Sequence, residues 1–356
     1  MTTKIRVGVL FGGRSGEHEV SLVSAASVMQ AMDAAKFEVV PVGITKKGEW
    51  LSQADSRKLL NGTLKGRVKK LSPSEALGKA RAAIVFPVLH GTFGEDGTMQ
   101  GLLELEGAAY VGSGVLGSSA GMDKDAAKRI FRDAGLPQVK SVTIWRADWE
   151  KSPAKAISQI SGTLKFPVFV KPANLGSSVG ISKAHDSSEL PAALKEAALY
   201  DRKIVVEQGV GGKKYKAREV ECAVLGNHNP KASVCGEIVP AAEFYDYDAK
   251  YADAASELLI PARLTKAQQK QIQQMAIAAF QSLDCAGLAR VDFLVEPVSG
   301  KVYLNEVNTM PGFTAISMYP KLWAASGLDY TSLITRLIEL GLERAAENRR
   351  NRYSKA

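Results

Sequence analysis

Short apolar runs that alternate with stretches of helical spacing predict an α/β chain. Residues 5–11 (IRVGVLF) form a mostly apolar run closed by a glycine turn, Gly12-Gly13-Arg14-Ser15-Gly16, which reads as a buried first strand. A helix is predicted over 21–34, and strands over 37–44, 83–88 and 108–111. Residues 46–81 are polar and glycine-containing, and read as an irregular insertion with short helices. A helix starting at Asp123 ends at Gly135 and Pro137. The strand 167–172, the loop ANLGSSVG, a helix over 187–200 and the strand 203–208 follow. The remainder predicts a strand over 219–226, a long polar and aromatic loop, a helix over 266–283, a hairpin and a closing helix over 330–348. Alternating strand and helix at the start imply a parallel sheet with ligand-binding loops at its strand ends.

At 356 residues the chain exceeds what one core usually fills, so several domains are expected. The expected divisions are an N-terminal α/β domain over 1–121, a central unit over 122–217, a C-terminal unit over 218–348 and a disordered tail over 349–356. No apolar run approaches the ~18–20 residues that span a bilayer, and the first residues lack a signal-peptide layout. Cys222, Cys235 and Cys285 are odd in number and show no CxxC spacing, which fits buried thiols in a reducing cytosol. The net charge of +9 favours anionic partners. The basic excess lies partly in the C-terminal tail and partly around residues 65–70, without interleaved aromatics. That distribution fits anionic small molecules better than nucleic acid.

Residues 289–312, ARVDFLVEPVSGKVYLNEVNTMPG, carry the most informative chemistry. Arg290 and Asp292 are two apart on one predicted strand and share a face; Glu306 and Asn308 do likewise on the other. The two pairs meet if Asp292 and Glu306 stand opposite, or offset by two. That register asks for an odd turn, such as the five residues 297–301. A solvated strand face is the alternative. Two carboxylates and an amide oxygen suit Mg²⁺, which keeps waters and substrate phosphates as its other ligands. A fixed guanidinium beside them suits a developing oxyanion. Together they point to a nucleoside triphosphate.

Other segments bear on the same chemistry. Lys171 ends an apolar strand, and the following loop through Gly176-Ser177-Ser178-Val179-Gly180 offers N–H groups and hydroxyls to phosphate, although it is no Walker A motif. Gly112–Gly117 spells GxGxxG, but the strand before it closes an α/β unit and no acidic strand end follows at dinucleotide spacing, which argues against a dehydrogenase. His90 opens the glycine-rich loop HGTFGEDG directly after a buried strand. Glu19 sits where the first helix begins, placed either to cap backbone N–H groups or to receive a substrate ammonium. The loop EFYDYDAKY, residues 243–251, has the aromatic density of a water-excluding lid.

In this order and combination, Lys171 with GSSVG, EFYDYDAKY, RVDF and NEVNTMPGFTAIS resemble the ATP-grasp enzymes and, within them, the D-alanine–D-alanine ligase family. The resemblance runs from GGRSGEHEVS through HGTFGEDG and GMDK to SMYPKLW, nearly the whole chain. It implies a three-domain ATP-grasp architecture, with ATP held between the central and C-terminal parts. It also implies a reaction: one D-alanine is phosphorylated on its carboxylate, and the amine of a second displaces the phosphate. That dipeptide serves peptidoglycan synthesis, so a bacterial, cytoplasmic and homodimeric enzyme is expected, with two Mg²⁺ (Mn²⁺ as a substitute) and with neither nucleic-acid nor membrane partners.

By resemblance, Lys124, Lys171 and Ser178 contact the phosphates. Glu207, Gln208 and Val210 line the adenine pocket, Glu219 lies near the ribose, and Phe244 and Lys250 also touch ATP. Asp292, Glu306 and Asn308 hold the metals. Glu19 binds the first ammonium with His90 nearby, and Ser177 and Tyr251 link to Glu19 to fasten the lid. Arg290 and the N–H of Gly312 stabilise the oxyanion, while Ser317 and Met318 meet the second carboxylate. A tyrosine at position 251 goes with an amine nucleophile rather than lactate. Gln208 departs from the lysine of some relatives, a change that a backbone contact to adenine tolerates.

Overall fold

The first apolar run forms β1 (Ile5–Gly12) of a parallel sheet, flanked by β2 (Phe37–Ile44) and β3 (Ile84–Val88) in the order β2-β1-β3. The structure, a computed structural model, describes residues 3–177, 179–211, 216–239, 257–314, 316–352 and 354. Buried on both faces, these strands read as continuous hydrophobic runs. Ser21, in the helix His18–Ala31, ties two strand ends together: its hydroxyl accepts from Gly12 N–H at 2.8 Å and donates to the Val88 carbonyl. The loops after β1 and β3 therefore open side by side.

The second sheet contains β4 (Ser141–Trp145), β5 (Val168–Pro172), β6 (Ser182–Ala184) and β7 (Lys203–Gln208) in the antiparallel order β4-β7-β5-β6. The helices Pro153–Thr163 and Leu190–Ala197 cover one face through Ile160, Leu190 and Leu194, packed on Ile144, Val168 and Ile204. Phe169 pairs with Glu207, and Lys171 with Val205, so the opposite face carries Phe169, Lys171 and Glu207.

The third sheet is antiparallel, with β8 (Arg218–Gly226), β9 (Lys231–Val239), β10 (Glu257–Leu259), β11 (Gly287–Val295) and β12 (Val302–Asn308) in the order β10-β9-β8-β11-β12. Helix Lys266–Ser282 buries Ile272, Ala276 and Phe280 against it. On the other side Phe313, Tyr319, Leu333 and Leu337 join Val9, Phe11 and Phe86 in one core. The closing helix Tyr330–Asn348 thus packs beneath the first sheet, and the first 121 residues do not complete their core alone. Among the described residues, no helix is long and apolar enough to cross a membrane.

The α/β architecture and most element positions agree with the sequence reading. Among the stretches that differ, two have a clear physical cause. Residues 108–111 make only a single parallel bridge, Val85 to Tyr110, because Gly107 and Gly112 turn the chain with positive φ at either end. Residues 231–239, expected within a loop, form β9. Gly236 in its centre lowers β propensity, yet a Cβ there would stand 2.9 Å from Leu322 and Met318. The glycine lets the helix Met318–Ala325 lie close on the sheet.

Candidate active site

In the hairpin, Asp292 pairs directly with Glu306 and Arg290 with Asn308, so all four side chains share one face. The expected odd turn is absent. Val295 pairs with Val302 across an even turn, 296–301, and a bulge beside Asp292 restores the register by leaving Asn305 unmatched. Arg290 donates Nε and Nη2 to the two oxygens of Asp292 at 2.8 and 2.7 Å, and its Nε lies 3.1 Å from Glu221 on β8. Burial lowers the guanidinium pKa, but the charges of Asp292 and Glu221 outweigh it and hold Arg290 well above its ordinary value. This cation is fixed in place and always charged.

Two cavities meet behind this hairpin. The smaller, about 150 Å³, is lined by Glu17, His90, Glu95, Asn308, Gly312, Ser317 and Met318. The larger, about 380 Å³, is lined by Lys171, Glu207, Gln208, Val210, Glu219 and Asp292. Lys124, Gly176, Ser177, Glu221, Arg290 and Glu306 line both, so they form the shared wall. Lys124 Nζ donates to the Leu175 carbonyl at 2.8 Å and lies 3.5 Å from Glu306.

In the smaller cavity the structure corrects one expectation. Glu19 faces away, 63% exposed and paired with Lys46 at 2.7 Å, a contact that lowers its pKa. It lies two residues past Glu17, inside the helix His18–Ala31, where the chain has turned it away from the cavity. The carboxylate that enters is Glu17, which accepts the hydroxyl proton of Ser177. Its seat depends on two glycines: a Cβ at Gly91 would stand 2.5 Å, and one at Gly176 3.2 Å, from Glu17 Oε2. Ser177 itself adopts φ 50°, a conformation uncommon outside glycine that clusters at functional sites.

His90 is buried, with Nδ1 3.0 Å from the Met310 carbonyl and Nε2 3.3 Å from Ser24 Oγ. A carbonyl only accepts, so Nδ1 carries the proton and Nε2 accepts from Ser24. Burial keeps the ring pKa below its ordinary value. Both nitrogens are used in pinning the loop before Gly312, so His90 acts there as a strut. Glu95, which accepts from Gly91 N–H at 2.7 Å, is pushed up to about 8 by burial and by the nearby charge of Glu17. Ser317 Oγ accepts from Thr314 N–H at 3.0 Å, and a Cβ at Gly312 would meet it at 2.9 Å. Met318 begins the helix Met318–Ala325.

In the larger cavity Lys171 lies 2.5 Å from Glu207, whose other oxygen lies 2.7 Å from Lys128. Burial alone would raise the Glu207 pKa, but Lys128 and Lys171 hold it at about 2. Burial likewise opposes the charge on Lys171, yet Glu207 and Glu306 raise its pKa. The Gln208 side chain turns to the backbone N–H of Lys165 at 3.0 Å, while Gln208 and Val210 remain in the cavity wall. Ser178, Phe244, Lys250 and Tyr251 lie outside the described residues.

Sequence reasoning missed Glu17, Glu95, Lys128 and Glu221. Glu221 left a signal, since Glu219 and Glu221 alternate within an otherwise apolar strand and register with the Arg290–Asp292 face. Among the described residues no group of three or more His, Cys, Asp or Glu is disposed to hold a metal. The candidate donors are instead two carboxylates and one amide, all oxygen, a set that fits Mg²⁺ completed by phosphate and water. The arrangement can hold an anion in one cavity, an ammonium in the other, and a fixed cation between them.

Comparison with known proteins agrees with this arrangement. Residues 6–113 match the family described as D-ala D-ala ligase N-terminus, and residues 130–339 that described as D-ala D-ala ligase C-terminus. The chain is 50% identical over 363 residues to the D-alanine--D-alanine ligase of Natranaerobius thermophilus, covering 98% of each. It is 51% identical over 344 residues to that of Clostridium acetobutylicum, covering 96% of this chain and 99% of the relative. The solved D-alanine-D-alanine ligase from Coxiella burnetii has a TM-score of 0.81 at 37% identity, covering 98% of this chain and 96% of that one. VanG D-Ala:D-Ser ligase from Enterococcus faecalis has a TM-score of 0.81 at 36% identity, covering 95% and 100% respectively.

Proposed function

This chain belongs to the D-alanine–D-alanine ligase family, and from that premise we propose that it joins two D-alanines at the cost of ATP to supply peptidoglycan precursor. The observation that carries this reading is the shared wall. Lys124, Arg290 and Glu306 line both a cavity sized for a small amino acid and one sized for a nucleotide. A phosphoryl group can pass between the two without entering bulk water.

The chemistry follows from what each group can do. ATP occupies the larger cavity, with Lys124 and Lys171 on its phosphates, Gln208 and Val210 beside adenine and Glu219 toward the ribose. The first D-alanine lies in the smaller cavity with its ammonium at Glu17, in the role the sequence reading gave Glu19. A carboxylate oxygen takes the γ-phosphoryl group, and ADP leaves. The amine of the second D-alanine, having lost its proton, attacks the acyl carbon, and the bond to phosphate breaks. Arg290 and Gly312 N–H stabilise the oxyanion between these events. Ser317 and the first N–H groups of helix Met318–Ala325 suit the second carboxylate. Asp292, Glu306 and Asn308 would hold Mg²⁺, which when bound neutralises phosphate charge.

The 47–51% identity of several full-length D-alanine--D-alanine ligases, against 36% for the D-Ala:D-Ser enzyme, supports alanine as the second substrate. Tyr251 supports an amine nucleophile. The three sheets support bodies near 1–121, 122–217 and 218–348, with helix Tyr330–Asn348 shared with the first. A cytoplasmic homodimer completes the proposal. The test is phosphate release with ATP, Mg²⁺ and either D- or L-alanine. Release with the D isomer alone is expected; release indifferent to D-alanine would overturn the reading.

A further inference from the structure

Lys128 lines neither cavity, yet it is among the most buried charges in the molecule, 4% exposed. It lies one helical turn after Lys124 on helix Lys124–Asp133, so both lysines point toward the second sheet. Its ammonium stands 2.7 Å from Glu207, itself 4% exposed, and Lys171 approaches the other carboxylate oxygen at 2.5 Å. The three groups form a buried Lys–Glu–Lys triad, of which Lys171 and Glu207 line the nucleotide cavity and Lys128 stands behind them.

We infer that Lys128 is a positioning residue that keeps Glu207 neutralised, so that Lys171 can turn its charge to the nucleotide phosphates. A buried carboxylate holds whatever cation it has, because separating the pair leaves an uncompensated charge. With only Lys171 beside it, Glu207 would compete with phosphate for that lysine and the pair would present no net charge. With Lys128 behind, Glu207 retains a counterion when Lys171 moves, and the cavity keeps its positive potential. Glu207 in turn helps hold Lys171 charged where burial would otherwise favour its neutral form. The inference rests on the larger cavity being the nucleotide site.

The experiment is calorimetric binding of ADP with Mg²⁺ to the full chain, in a cycle of wild type, Lys128→Met, Glu207→Gln and the double variant. Lys128→Met is expected to weaken ADP binding about tenfold or more. It should raise the KM for ATP more than it lowers kcat, and Lys128→Arg should restore most of the loss. In the Glu207→Gln background, where no buried carboxylate competes, Lys128→Met should cost less than about threefold. This second comparison, in which neither arm holds the buried carboxylate, stands even if Lys128→Met alone fails to fold. Unchanged ADP affinity in Lys128→Met, or an equal loss in both backgrounds, overturns the inference and leaves the nucleotide reading intact. A wild type that binds no ADP overturns both.

Discussion

Asp292 stands directly across the ladder from Glu306 because Asn305 is left out of the pairing between them. An even turn would otherwise place Asn305 opposite Asp292 and send Glu306 to the far face. Deleting Asn305 should therefore remove the bulge and still leave Asp292 opposite Glu306, because Glu306 would then follow Leu304 directly in a regular ladder. Turnover is expected to escape the roughly hundredfold loss that follows removal of one preorganised electrostatic group, with a native far-ultraviolet spectrum. A folded deletion variant that loses turnover on that scale would mean that the pairing of Asp292 with Glu306 is not by itself what assembles the site.

Glu17 and Glu19 separate cleanly by substitution. Glu17→Gln removes a charged partner of a substrate ammonium, worth about 1.5–3 kcal/mol, and should lower kcat/KM for D-alanine some 10- to 100-fold. Glu19→Gln breaks an exposed pair worth at most about 1 kcal/mol and should leave kcat/KM within about twofold. Steady-state kinetics at varied D-alanine checks both, and the opposite ranking would return the role to Glu19.

Arg290→Ala should lower turnover by about 10²-fold or more, as expected for loss of an oxyanion donor. Arg290→Lys keeps the charge but loses the two-pronged contact with Asp292, so it should recover only part of the rate. A folded Arg290→Ala variant with wild-type turnover would remove Arg290 from the chemistry.

Two buried carboxyls make opposite contributions to stability against pH. Glu207, held at about 2 against an ordinary 4.5, stabilises the fold above pH 4.5, and that contribution is lost as pH falls toward 2. Glu95, raised from 4.5 to about 8, contributes fully below pH 4.5 and loses that contribution as pH rises through 8. The melting temperature of Glu95→Gln relative to wild type, without ligands, should therefore rise steadily from pH 4.5 to 8. A difference independent of pH would show that Glu95 does not titrate in this window.

The hairpin, the Lys171 loop and the closing helix were legible because periodicity and turn residues are local properties. The bulge at Asn305 was not, since nothing in LNEVN distinguishes an unmatched residue from a paired one. The choice of Glu17 over Glu19 depends on two distant glycines, Gly91 and Gly176, that leave room for its carboxylate. β9 was hidden by Gly236, whose value lies in a helix that reaches it from over eighty residues onward. Nothing in the sequence sets Lys128 apart from the other basic residues of its helix, and only the packing of the second sheet shows that its charge is enclosed.

The central claim is that phosphate leaves with an oxygen taken from the first D-alanine. D-alanine labelled with ¹⁸O in its carboxylate, turned over with unlabelled ATP, tests it by mass analysis of the released phosphate. The account predicts one labelled oxygen in each phosphate formed alongside dipeptide. Phosphate carrying none, with dipeptide still produced, would contradict it.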